Sequence, residues 1–193
     1  MHGDPLLEVT DAMPQDVVLL HDALQTIHSQ LPTKGRNETA SFYFQLLTLN
    51  LSNAGTAFRF LTAYCAQLPG CEVVLDGCER MRHRPIEPLV EALRTLGAKI
   101  DYLGQEGFPP LRISGTTLNT IHQTPNTKHQ TLNTSISSQF ASALELIGVP
   151  CDAPVSPYLT MTRALIQDYQ TPDTKHQTPD TKHQTPTFTV SSH

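Results

Sequence analysis

Residues 51–96, LSNAGTAFRFLTAYCAQLPGCEVVLDGCERMRHRPIEPLVEALRTL, decide how the rest of the chain is read. Two helical patterns flank an extended one. In the first, Phe58, Leu61, Cys65 and Leu68 recur at helical spacing after Asn53-Ala54-Gly55-Thr56. In the second, Pro85 takes a favoured first helical position, Ile86, Leu89, Val90, Leu93 and Leu96 form the apolar stripe, and Gly97 stops the helix. Between them, Cys71 to Leu75 reads as a strand closed by an Asp76-Gly77 turn. Arg80, Arg82 and Arg84 then crowd into the few residues before the second helix, where their charges are either solvated or meet an anion.

Outward from this stretch the alternation continues. Upstream, Asp16 can cap a helix whose apolar positions are Val17, Leu20, Ala23, Leu24 and Ile27. Residues 31–37 are rich in turn formers, and the aromatic residues and Thr48 of 40–50 favour a strand. Downstream, Lys99 to Leu103 and Leu111 to Ser114 read as antiparallel strands about a turn at 105–110. Helices layered on a sheet follow, an α+β class with α/β-type layers. Further on, Ser137 or Ser138 can cap a helix carrying Phe140, Leu144 and Ile147 and ending at Gly148. Glu145 within it either points to water or marks loose packing. A last helix, Tyr158 to about Tyr169, follows Pro157 with Leu159, Thr162, Leu165 and Ile166 on its apolar side.

The segment QTPNTKH at 123–129 returns as QTPDTKH at 170–176 and 177–183 and begins again at Gln184. Such polar, proline-punctuated copies bury too little apolar surface to offset a backbone ordering cost of roughly 1–2 kcal/mol per residue, so disorder is expected. Three origins compete: a solvated linker, a histidine-based metal site, and a translated tandem DNA repeat. Histidines seven residues apart on a proline-broken chain lack convergent geometry for a metal. A DNA repeat accounts best for a copy that interrupts the structured alternation. The expected division is 1–115 structured, 116–134 a repeat-containing insertion, 135–169 the continuation of the same domain, and 170–193 a repeat tail.

Composition narrows the classes. A net charge of -5 over 193 residues argues against a general nucleic-acid binder. The four cysteines, Cys65, Cys71, Cys78 and Cys151, form no CxxC pair and read as reduced thiols, with no zinc site expected. No run approaches the roughly 20 apolar residues of a membrane span, and residues 1–16 lack a basic start and apolar core, so a soluble, cytoplasmic chain is expected.

Three helix starts carry anion-compatible groups: Asn53 to Thr56, Arg80 to Arg84, and Ser137 to Gln139. A helix N-terminus offers unpaired N–H groups and roughly half a positive charge, and an arginine adds a planar fork. Serines and asparagines at such positions are more often simple caps, and arginine clusters more often solvated faces. No GxSxG, P-loop or HExxH occurs in the sequence. The residues by themselves indicate an anion-binding domain of mixed helix and sheet.

NAGTAFRF at 53–60, DGCERMRHRPIEPLVEALRTLGAKIDYLGQEGFPPLRISG at 76–115 and SISSQFASALELI at 135–147 resemble the 3-phosphoshikimate 1-carboxyvinyltransferase (EPSP synthase) family. The three motifs cover about half of the chain in family order, and RMRHRPI and SISSQF resemble this branch rather than the UDP-N-acetylglucosamine enolpyruvyl transferases. The resemblance implies transfer of an enolpyruvyl group. The 5-hydroxyl of shikimate 3-phosphate attacks C2 of phosphoenolpyruvate as C3 is protonated, and phosphate then leaves. It implies an incomplete first domain of βαββαβ units in an inside-out α-β barrel, no cofactor and no metal. The implied partners are the two small-molecule substrates, with no nucleic acid or membrane, and a monomeric state.

By motif, Asn53, Gly55, Arg84 and Gln139 are the implied phosphoenolpyruvate residues. Ser137, Ser138, Gln139 and Tyr158 are the implied shikimate 3-phosphate residues. The family's PGSKSxSxR pattern is not found in these residues, and Val155 stands where the serine of its S-x-P-Y pattern belongs, with Ser156 one place off. No catalytic acid or base is assigned, and the expectation is a fragment without turnover; the alternatives are a non-catalytic phosphoshikimate-binding remnant or pseudogene product and, in another class, a structural protein built on the repeats.

Overall fold

The computed structural model describes residues 13–30, 46–119, 137–151 and 153–170. The 31–37 loop, the first residues of the 40–50 strand reading, the repeat copy at 123–129 and the tail beyond 170 lie outside the described residues. The elements in order are α1 (Gln15–Gln30), β1 (Leu47–Asn50), α2 (Gly55–Gln67), β2 (Glu72–Asp76), α3 (Glu79–Arg82), α4 (Glu87–Thr95), β3 (Lys99–Tyr102), β4 (Leu111–Ser114), α5 (Ser138–Leu146) and α6 (Pro157–Gln170).

The four strands form one sheet in the order β1-β2-β4-β3. β1 and β2 are parallel, with Leu47 opposite Val73 and Asn50 opposite Asp76. β2–β4 and β4–β3 are antiparallel, with Val73 opposite Ile113 and Ile113 opposite Ile100. Side chains alternate across a strand, so Leu49, Val73, Leu75, Ile100, Leu111 and Ile113 share the buried face while Thr48, Lys99, Asp101 and Arg112 face outward.

α2 lies at the centre, packed against α1, α4, α5 and the β2–β4 face of the sheet. Its composition anticipates this: Gly55, Ala57, Phe58, Leu61, Thr62, Ala63, Cys65 and Ala66 are all buried, a distribution too wide for one stripe. Thr62 is accommodated because its buried hydroxyl donates to Phe58 O at 2.7 Å. Gly97 and Gly148 adopt φ of +96° and +79° and close α4 and α5, as their positions after the last apolar residue suggest.

Several expectations need correction. The observed order over 47–114 is βαβααββ, not βαββαβ, because α3 and α4 lie between β2 and β3 and the hairpin comes last. Asp16 is the second residue of α1 rather than its cap, since the helix already starts at Gln15 after Pro14. α4 starts at Glu87, with Pro88 rather than Pro85 in its first turn; Ile86 is non-helical at φ −133°, its N–H held by Gly107 O at 2.9 Å. Glu145 is neither free nor a sign of loose packing: its carboxylate takes both Nε (2.9 Å) and Nη2 (2.5 Å) of Arg163 and is 10% exposed. The ion pair joins α5 to α6, beside the buried hydrogen bond from Thr162 Oγ1 to Ser142 Oγ at 2.9 Å.

A cavity at the start of the central helix

Parallel pairing of β1 and β2 sends both chains off the same end of the sheet, and the segments that follow them meet there. Leu51 N–H donates to Asp76 O and Cys78 N–H to Ser52 O, both at 2.9 Å, which sews the two loops together. Ser52 has φ +49°, a conformation rare outside glycine, and its N–H is held by Asn50 Oδ1 at 2.9 Å. The tight crossing leaves Asn53 exposed at the loop apex and starts α2 at Gly55 with no side-chain cap.

The segment after β2 carries the three arginines, and the structure separates them. Arg82 is neutralised by Asp76 through Nε–Oδ1 (2.9 Å) and Nη2–Oδ2 (2.5 Å) contacts. The Arg82 hydrogen bond holds the Asp76 carboxyl below its ordinary range, opposed by partial burial and helped by the Gly77 N–H. Arg80 is an exposed residue of α3. Arg84 is half-buried, its side chain has no carboxylate or hydrogen-bond partner among the described residues, and it turns toward Gly55, where an added Cβ would run into its Nη1. A glycine is therefore needed there for close approach rather than for its backbone torsions.

A cavity of about 480 Å³ opens at this point, lined by Asn53, Gly55, Thr56, Arg59, Arg84 and Gln139, with Gln15, Asp16 and Leu19 of α1 along one side. Gln139 comes from the first turn of α5, and its Nε2 donates to Thr56 Oγ1 at 3.0 Å. Four of the residues expected from the sequence, Asn53, Gly55, Arg84 and Gln139, thus share one cavity. The other three do not line it. Ser137 caps α5, accepting from Gln139 N–H at 3.3 Å, Ser138 is half-buried in the first turn of α5, and Tyr158 is half-buried near the start of α6.

Sequence reasoning missed Arg59 and the α1 side chains, and had Thr56 only as the end of the Asn53 to Thr56 helix start. Arg59 lies one helical turn after Gly55, and its Nη1 donates to Gly55 O at 2.8 Å. Its guanidinium carbon sits 5.3 Å from the centre of the Phe140 ring. Burial, and then the neighbouring Arg84 charge, lower its affinity for its proton. A signal was present in the four-residue spacing from Gly55, but Arg59 between Phe58 and Phe60 reads as an ordinary polar-side residue until α5 covers it.

Two guanidinium groups lie beside a helix N-terminus with one carboxylate (Asp16) across the cavity and, among the described residues, no ion pair between them, a charge arrangement suited to an oxyanion. Among the described residues, no group of three or more His, Cys, Asp and Glu side chains converges as a metal site would require.

A family model described as EPSP synthase (3-phosphoshikimate 1-carboxyvinyltransferase) matches residues 15–180. The 3-phosphoshikimate 1-carboxyvinyltransferase of Bacteroides fragilis is 40% identical over 131 residues, 63% of this chain and 30% of that protein. The one from Bordetella parapertussis is 48% identical over 105 residues, 54% of this chain and 22% of that protein. A solved EPSP synthase from Acinetobacter baumannii is 25% identical, covers 59% of this chain and 26% of that chain, and has a TM-score of 0.47. The chain thus spans less than a third of the length of the relatives it matches. With the family match reaching across most of its residues, the chain belongs to the EPSP synthase family.

Proposed function

We propose that the cavity at the start of α2 receives the phosphate of phosphoenolpyruvate, and that the chain supplies one wall of a 3-phosphoshikimate 1-carboxyvinyltransferase site. The observation that carries this is the convergence of Asn53, Gly55, Arg84 and Gln139, from three separate stretches of sequence, on one cavity whose arginines have no carboxylate partner among the described residues. Relatives bearing that enzyme name support the choice of substrate.

In this function Arg84 presents its fork to the phosphoryl oxygens, Gly55 lets the anion approach the first N–H groups of α2, and Gln139 lies between the two substrates. Ser137, Ser138 and Tyr158, at the starts of α5 and α6, hold the 3-phosphate of shikimate 3-phosphate beside it. The fixed donors stabilise charge as the tetrahedral intermediate collapses and phosphate leaves. An inside-out α-β barrel domain, cut at 116–134 and 170–193 by the repeats, and a cytoplasmic monomer complete the proposal. Among the described residues no helix is long and apolar enough to cross a membrane.

Calorimetric titration of the 193-residue polypeptide with phosphoenolpyruvate and with shikimate 3-phosphate, beside a phosphate-release assay with both, tests this. Heat of binding that is lost in Arg84→Ala and in a Ser138→Ala, Gln139→Ala double variant is expected, with release at background. Release above background would identify an active transferase chain, and no binding of either substrate would remove the proposal.

A further inference from the structure

We propose that Arg59 is a second anion-binding residue of this cavity and that, together with Arg84, it makes the site select a doubly charged phosphoryl group over a singly charged anion. The inference rests on the proposed phosphoryl-binding function and makes it more specific.

Arg59 is built in rather than draped on the surface. Its Nη1 is spent on Gly55 O at 2.8 Å, and Phe140 of α5 lies under the guanidinium plane. Nε is buried without an acceptor, and Nη2 has none among the described residues. Arg84 comes to the same glycine from the loop after β2, so that a side chain at position 55 would collide with Arg84 and press on Arg59. Two like charges are therefore held together at the wall of one cavity.

The charged and titratable groups around them are few. Asp16 faces the cavity from α1 and forms no ion pair with either arginine. α5 contributes Gln139 and Phe140, neither of which titrates, and among the described residues no histidine or lysine lines the cavity. Burial and the Arg84 charge both weaken the hold of Arg59 on its proton, in keeping with an uncompensated pair of cations.

Coulomb attraction scales with the charge of the anion, so two fixed cations reward the second negative charge of a phosphoryl group more than one cation does. The fixed fork of Arg59 also loses little freedom when its remaining donor is used. A monoanion of the same size receives only the smaller Coulomb gain that goes with its single charge.

The probe is methyl phosphate, followed by NMR titration of the full 193-residue chain between about pH 5 and about pH 8, across its second ionisation near pH ~6. For the parent chain, affinity rises on the order of tenfold over that range. Arg59→Met keeps an apolar stem on Phe140 but removes the charge; its affinity at the upper pH falls on the order of tenfold and its pH profile flattens. Arg59→Lys keeps the charge and preserves the rise at reduced affinity.

A flat profile in the parent, or an Arg59→Met chain that matches the parent in affinity and slope, overturns the role of Arg59 alone. If the parent binds no methyl phosphate at any pH, the phosphoryl-binding function fails and this inference with it. Circular dichroism checks folding; should Arg59→Met not fold, the parent profile and the Arg59→Lys profile decide the question by themselves.

Discussion

Gln139 Nε2 donates to Thr56 Oγ1 at 3.0 Å, joining the first turn of α5 to the first turn of α2 across 83 residues of chain. This bond aims the Gln139 amide at the cavity. Thr56→Val keeps the shape and removes the acceptor. We expect a loss of about 1 kcal/mol of stability in urea unfolding. Phosphoenolpyruvate affinity should fall by roughly threefold to tenfold, measured calorimetrically, as a buried donor loses its partner.

Gly55→Ala should separate binding from stability. The new Cβ meets the far ends of Arg84 and Arg59, which can swing aside, while alanine suits a helix better than glycine by about 1 kcal/mol. The melting temperature should hold or rise slightly. Anion affinity should drop on the order of tenfold because the arginine fork is displaced from the anion. A variant that binds as well as the parent would remove Gly55 from the site.

Asp76 and Arg82 give the fold an acid-sensitive contact. The Arg82 hydrogen bond depresses the folded-state pKa of Asp76, so the stability it adds is present above the ordinary carboxylate value of about 3.9 and is lost as pH falls through the lower folded value. The urea midpoint of the parent should therefore decline below about pH 4, and Asp76→Asn should lack that part of the decline. Because Arg82 is half-exposed, the effect is modest at neutral pH and shrinks further in salt.

Phe58 is fully buried in α2 at the junction of helices and sheet. Phe58→Ala should cost about 3–5 kcal/mol by leaving a cavity among packed neighbours. Thermal unfolding followed by circular dichroism reads this out. A loss near the low end would mean that α1 and α5 close over the gap.

Much of this fold was legible because its local patterns are strong. The spacing of Phe58, Leu61 and Cys65 fixed α2, and the 99–114 hairpin pattern fixed β3 and β4. The strand expected at Cys71 to Leu75 runs from Glu72 to Asp76, its bounds one residue later. α3 was missed because four residues, Glu79–Arg82, are too few to carry a period. Pro85 and Pro88 both suit a helical first turn, and only the tertiary tie from Ile86 to Gly107 selects between them. Glu145 could not be understood from its own helix, since its partner Arg163 lies 18 residues away. In the cavity, Asn53, Gly55, Arg84 and Gln139 came from motif resemblance. Arg59 and Asp16 did not, because their place in the cavity depends on how α1, α2 and α5 come together.

Anchoring α5 directly on α2, through Gln139 with Thr56 and Phe140 with Arg59, has a consequence for how the chain tolerates change. These two contacts hold Gln139 against α2. Closing a longer connection between β4 and α5 costs only about 0.6 kcal/mol for each doubling of its length, so seven added residues there weigh less than the loss of one such contact. The connection between β4 and α5 is thus a place where a gene can gain or lose a repeat unit while the anion cavity keeps its dimensions.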